Sequence, residues 1–132
     1  MVRPTWLNPP YDPPCVALGA FVTLTNVGVA YDTINAAKGL GFVRVDMTNV
    51  TQVVFVVRVN KIGTGTQDWQ LWNETDGTQL GVVSDAGGSG DKELSATINS
   101  LALTGVKQLR VRARSSVAAD DPLYYGATIV LS

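Results

Sequence analysis

The sequence predicts an all-β protein: an antiparallel β-sandwich of jelly-roll type, with eight or nine strands behind an extended, proline-rich N-terminal arm. Three observations predict it. Val and Thr are abundant, whereas Glu, a good helix former, occurs only at Glu74 and Glu93. After Cys15, short apolar runs alternate with clusters of Gly, Asn, Asp and Thr, the spacing of strands and turns. Within the runs side chains alternate with period two, so that Leu109, Val111 and Ala113 share one face while Gln108, Arg110, Arg112 and Arg114 share the other.

The 132 residues suit one domain whose core needs neither disulfide nor metal. The arm, 1–15, holds five of the six prolines, whose fixed φ and missing N–H exclude helix and central strand. In an extended path it reaches about 40 Å. Trp6, Leu7 and Tyr11 are its expected anchors, either on a neighbouring subunit or folded back on its own domain.

The sandwich domain, 16–132, is expected to carry strands near 20–25, 28–32, 41–47, 52–60, 67–73, 79–84, 92–98, 107–115 and 124–131. Only 33–38 is a candidate for a short helix, ended by Gly39. The 52–60 strand is apolar on both faces through Val53, Val54, Phe55, Val56 and Val57, which makes it central. Its second face, with Val54 and Val56, is a candidate subunit interface. Asp76-Gly77 suits a type I′ hairpin turn, and 85–91, rich in Gly, reads as a flexible exposed loop. In DWQLWNETDG, from Asp68, Trp69 and Leu71 point one way and Asp68, Gln70 and Trp72 the other. Trp69 is therefore a core residue. Trp72 is a second packing residue, an interface aromatic or a platform for a sugar.

Histidine is absent, which excludes Ser-His-Asp and Cys-His catalysis, His-ligated zinc and histidine pH switches. Nine aspartates and two glutamates form no recognisable catalytic pair, so no enzyme activity and no cofactor are expected. Asp85, Ser89 and Asp91 bring oxygens to one loop without the spacing of a calcium loop, so no metal is expected either. Cys15 is the single cysteine, so there is no internal disulfide. The net charge of −1 supplies no bulk attraction to nucleic acid or an anionic membrane. No run approaches the roughly 20 apolar residues of a membrane-spanning helix, and the N-terminus has prolines where a signal peptide has an apolar run. The chain reads as soluble and unprocessed. Arg110, Arg112 and Arg114 form a basic stripe, extendable by Arg44 and Arg58, that either meets an anionic partner or pairs with acids on neighbouring strands.

The proline-rich leader, the run VVFVVRVNKIGTGTQDWQLWNETDG, the polar glycine loop and LRVRARSS together resemble the jelly-roll accessory proteins that decorate or cement tailed-phage capsids. The resemblance covers the region from about Phe21 to the C-terminus. It implies a non-enzymatic virion protein, assembled in the host cytoplasm. Such a protein self-associates, with a trimer favoured, and docks on a major capsid or other virion protein. The alternative is a carbohydrate-binding module or lectin-like receptor-binding domain, with Trp72, Asp68 and Gln70, or Tyr124 and Tyr125, as the sugar platform.

Overall fold

The computed structural model describes residues 3–7, 22–23, 42–117, 119–120 and 122–132, with the backbone alone for 3–7, 22–23 and 42. They form nine strands: β1 (Arg3–Leu7), β2 (Val22–Thr23), β3 (Phe42–Asp46), β4 (Val53–Lys61), β5 (Gln67–Asn73), β6 (Thr78–Asp85), β7 (Gly90–Ile98), β8 (Val106–Ser115) and β9 (Leu123–Leu131). The expected strand at 28–32 and helix at 33–38, like Tyr11, lie outside the described residues.

Every strand pairing is antiparallel. One sheet runs β1-β9-β4-β7. The other runs β8-β5-β6, with β2 and β3 end to end along the far edge of β8. Apart from the β5–β6 hairpin, each step from β3 to β9 crosses between sheets. This places β1-β9-β4-β7 against β3-β8-β5-β6 in a jelly-roll arrangement. The leading segment belongs to it, because Arg3–Leu7 pairs with β9 of its own chain. Pro4 is tolerated there since β1 is an edge strand.

Alternation puts one residue in two into the core. Strand β4 buries Val53, Phe55, Val57 and Val59. From β9 come Tyr124, Ala127, Ile129 and Leu131, and from the opposite sheet Trp69, Leu71, Leu109, Val111 and Ala113. Trp69 stacks on Tyr124 with centroids 5.6 Å apart and planes 19° from parallel, which joins β5 to β9 across the sandwich. Val54 and Val56 are half-buried on the outer side of β4.

Two local irregularities have identifiable causes. Arg58 faces Gly126 while Val59 faces Tyr124, so Tyr125 is an extra residue in β9, a bulge. Gly126 at φ +137° supplies the backbone that a side chain disfavours. In β6, Leu80 is extra between Gly81 and Gln79, whereas β5 keeps its register with β8 throughout. The β5–β6 connection is a four-residue loop rather than a two-residue type I′ turn. Gly77 alone in it has positive φ, at +67°, and Asn73 Oδ1 accepts from the Asp76 amide.

The loop after β4 is shaped from a distance. Asp120 Oδ2 accepts from the amides of Thr64 and Gly65, each at 3.1 Å, and Gln67 Nε2 donates to the carbonyls of Ile62 and Asp120. A Cβ on Gly63 would overlap the Asp120 carboxyl, and Gly63 has φ +80°. The 85–91 loop is exposed at 86–89, but its root is tied: buried Lys61 donates to the carbonyls of Asp85 and Gly87, and Lys92 bonds Asp85 Oδ1 at 2.7 Å.

Gly63→Ala is expected to destabilise the fold by about 2 kcal/mol or more, part strain and part clash. In an Asp120→Ala background the clash part vanishes, so the cost of Gly63→Ala falls by about 1 kcal/mol. Urea unfolding of the four proteins of this cycle measures the coupling, and additive costs would contradict the contact.

Candidate functional site

The outer face of the β8 sheet gathers two candidates that the sequence holds about forty residues apart. Register sets Asp68 opposite Arg114, Gln70 opposite Arg112 and Trp72 opposite Arg110. Because directly opposed residues share a face, the tryptophan and the basic stripe are one surface. Arg114 Nε donates to Asp68 Oδ2 at 2.8 Å, and Arg110 Nε lies 3.3 Å from Glu74 Oε2. The Arg112 guanidinium lies over the Trp72 ring, 4.5 Å from its centroid, a cation–π contact. Gln70 donates to Gln79 on β6 at 2.8 Å.

Asp68 and Gln70 are buried despite lying on the outer face. Long arginine side chains lie across such a sheet with apolar stems down and charged heads toward water. Hence Arg114 compensates a carboxylate that is buried, and removal of the arginine alone would leave that carboxylate without its counter-charge. Arg44 on β3 extends this surface opposite Gln108. Arg58 does not extend it, because β4 belongs to the other sheet, where Arg58 Nε pairs with Glu93 Oε2 at 3.0 Å. Among the described residues Arg44, Arg110, Arg112 and Arg114 stand against Asp46, Asp68 and Glu74, so the face keeps one positive charge on a chain of net charge −1. As a sugar platform Trp72 is already taken on one side by Arg112, with its polar neighbours engaged elsewhere.

The start of β8 is fastened to the β5–β6 loop. The Glu74 amide donates to the Gln108 carbonyl, the Gln108 amide to Thr75 Oγ1, and Lys107 Nζ stands 2.8 Å from Asp76 Oδ2. Hydrogen bonds from Lys107 first, and then from Asn73, hold the Asp76 carboxyl below its ordinary pKa.

The outer face of the other sheet is different. Register places Val54 level with Thr97 and Val130, and Val56 level with Ser95 and Thr128. Among the described residues, none that stands level with Val54 or Val56 is charged. Trp6 and Pro4 stand level with Thr128 and Val130 on β1, and Leu7 with Ala127. Toward the other end of β4 the face becomes polar. Arg58 and Asn60 stand level with Glu93 and Asp91, and the β9 bulge brings Tyr125 beside them. A groove of about 340 Å³ opens there, lined by Arg58, Val59, Asp91, Lys92, Glu93 and Tyr125. The two tyrosines that look alike in sequence are separated: Tyr124 is fully buried against Trp69, while Tyr125 is 41% exposed.

Three oxygens of the 85–91 loop, the carbonyls of Asp85 and Gly87 and Asp85 Oδ1, are engaged by the ammonium groups of Lys61 and Lys92. Among the described residues, no three acidic, cysteine or histidine side chains converge in a metal-binding arrangement. Neither the hold of Lys61 on the loop nor the role of Asp120 carries a sequence signal, because both act over 20 to 60 residues of chain.

No protein family and no curated protein matches the sequence. Among solved structures the chain is similar to VP2 of infectious bursal disease virus in a subviral particle. That match has a TM-score of 0.51 and 11% identity over 99% of this chain and 32% of that one. A chain in the structure of infectious bursal disease virus Gx strain matches with a TM-score of 0.51 and 14% identity over the same shares. The chain thus spans about a third of the length of these two viral chains. It is also similar to the C-terminal CBM6 of LamC from Zobellia galactanivorans, with a TM-score of 0.47 and 14% identity over 96% of this chain and 98% of that one. Likeness to VP2 at such identity shows a shared β-sandwich fold. It reaches a viral particle protein without singling out tailed phages.

Because its folded pKa is depressed, Asp76 contributes stability that is present above the ordinary carboxylate range and is lost as pH falls through the folded value. Asp76→Asn is therefore expected to lower the urea midpoint at neutral pH and to converge with the parent in acid, once pH has fallen through the folded value of Asp76. A gap that persists unchanged in acid would contradict the ionic hold of Lys107.

Proposed function

We propose that this protein is a non-enzymatic virion component, a capsid decoration or related structural protein of a tailed phage, that works by self-association and by docking on a larger shell. One observation carries the reading: the charge-free half of the β4 outer face, where Val54, Val56 and Val130 lie among Ser95, Thr97 and Thr128. Elsewhere both outer faces carry ion pairs, Arg58 with Glu93 on this sheet and Arg110 and Arg114 with Glu74 and Asp68 on the other. An uncharged β-branched patch meets a second copy of itself without like-charge repulsion or loss of long side-chain entropy.

Area explains why the leading segment matters. Beyond β1, three strands at about 4.8 Å spacing and, in the uncharged half, five residues at about 3.3 Å make a face of roughly 240 Å². A stable interface takes about 800 Å² from each partner. The remainder comes from the segment carrying Trp6, Leu7 and Tyr11, whose first strand, β1, borders this same sheet. The fold is one that VP2 uses in a subviral particle, which supports a shell-associated role. Resemblance to decoration proteins favours a trimer, bound to a major capsid or other virion protein. The residual positive charge of Arg110, Arg112 and Arg114 then faces an acidic surface of that shell, with Trp72 beside it, rather than nucleic acid.

Size-exclusion chromatography with light scattering tests the proposal. The parent protein is expected to run as an oligomer, and Val56→Arg to weaken association at least tenfold, about 1.4 kcal/mol. Val56 is only half-buried, so the melting temperature of the variant's monomer stays close to the parent's. A parent protein that is monomeric at every concentration would overturn the proposal.

A further inference from the structure

The groove beside Tyr125 lies at the opposite end of β4 from the uncharged patch, and its chemistry is of another kind. Tyr125 Oη donates to Asp91 Oδ1 at 3.1 Å, and Asn60 Nδ2 donates to the same oxygen at 2.7 Å. Arg58 Nε meets Glu93 Oε2 at 3.0 Å. Among the described residues no donor reaches Asp91 Oδ2 or Glu93 Oε1, so two carboxylate acceptors remain open beside an aromatic ring that is 41% exposed. A regular strand would have turned Tyr125 inward opposite Val59; the extra residue turns Tyr124 inward instead and leaves Tyr125 at the groove. Bulges re-aim side chains in this way next to binding sites.

The set of groups narrows the ligand. Asp91 and Glu93 repel a phosphate, sulfate or carboxylate, while Arg58 and Lys92 oppose a cation. What remains is a neutral molecule rich in hydroxyls, with an apolar face for the ring. We propose that the groove binds a neutral pyranose of a glycan. The sugar's C–H face lies on Tyr125, its hydroxyls donate to Asp91 and Glu93, and one ring or hydroxyl oxygen accepts from Arg58. A groove of about 340 Å³ stands at the small end of ligand sites, room for one or two sugar rings. This inference is independent of self-association through Val54 and Val56, and a virion protein carrying it would add attachment to glycans to its structural role.

The test is an array of neutral and acidic oligosaccharides, including bacterial surface repeats, followed by calorimetry with the strongest glycan. The parent protein is expected to bind at least one neutral glycan. Tyr125→Ala and Asp91→Ala each lower that affinity by roughly tenfold or more, and Tyr125→Phe, which keeps the ring but not the bond to Asp91, by only a few-fold. Trp72→Ala, on the other sheet, leaves the affinity unchanged. Thermal melting of each variant shows that the fold is retained, which the exposure of Tyr125 and Asp91 favours. Binding to no glycan, a preference for acidic glycans, or binding that survives both Tyr125→Ala and Asp91→Ala would overturn the proposal. Since Val56→Arg reads out association and Tyr125→Ala reads out sugar, failure of either idea is seen separately.

Discussion

The stack of Trp69 on Tyr124 depends on one extra residue in β9, and much of the molecule depends on that stack. Without the bulge at Tyr125, alternation would carry Tyr125 into the core and Tyr124 out of it. With it, a full tryptophan and a full tyrosine meet between the sheets at 5.6 Å, the largest side chains of the core. Two aromatic rings in contact bury more apolar surface than any pair of valines here, and they fix the spacing of β5 and β9. The rest of the core, mostly Val, Leu and Ile, fills the space that this contact sets. The same residue that permits the stack also places a tyrosine at the mouth of a groove, so core geometry and surface chemistry share one cause.

The two outer faces divide the work of the surface. On the β8 sheet, guanidinium groups are held by Asp68, Glu74 and the Trp72 ring, so that the face is ordered by its own contacts. Ordered arginines have lost rotamer freedom before any partner arrives, which favours recognition of a surface with complementary charge. On the other sheet the described residues level with Val54 and Val56 carry no charge, and burying them costs little beyond association entropy. A jelly roll leaves both faces available because its edges, rather than its faces, carry the chain crossings.

The connections are held by charges at their roots, a buried lysine in one and a half-buried aspartate in the other. Lys61 spends its ammonium on two backbone carbonyls at the base of the 85–91 loop, and Asp120 spends its carboxylate on two amides after β4. Each satisfies backbone groups that a loop would otherwise leave to water. In both cases an ion of the protein stands where a glycine-rich or acidic loop invites the thought of a metal or a simple turn.

Strand positions were legible in the sequence because burial of one face imposes a period of two, and that period is written in consecutive residues. The inward course of Trp69 and Leu71, the central place of β4 and the common face of Arg110, Arg112 and Arg114 all follow from it. Likewise the absence of histidine is a fact of composition that no fold can alter. The tertiary structure decided what depends on pairs distant in the chain: that Arg112 covers Trp72, that Arg58 belongs to the other sheet from Arg44, that Lys61 and Lys92 hold the glycine loop, and that Asp120 shapes the turn at Gly63. It also decided which tyrosine is core and which is surface, since a bulge adds a residue without any mark in local pattern. Alternation is a property of neighbours along the chain, whereas register is a property of neighbours across it, and every feature of the candidate sites is fixed by register.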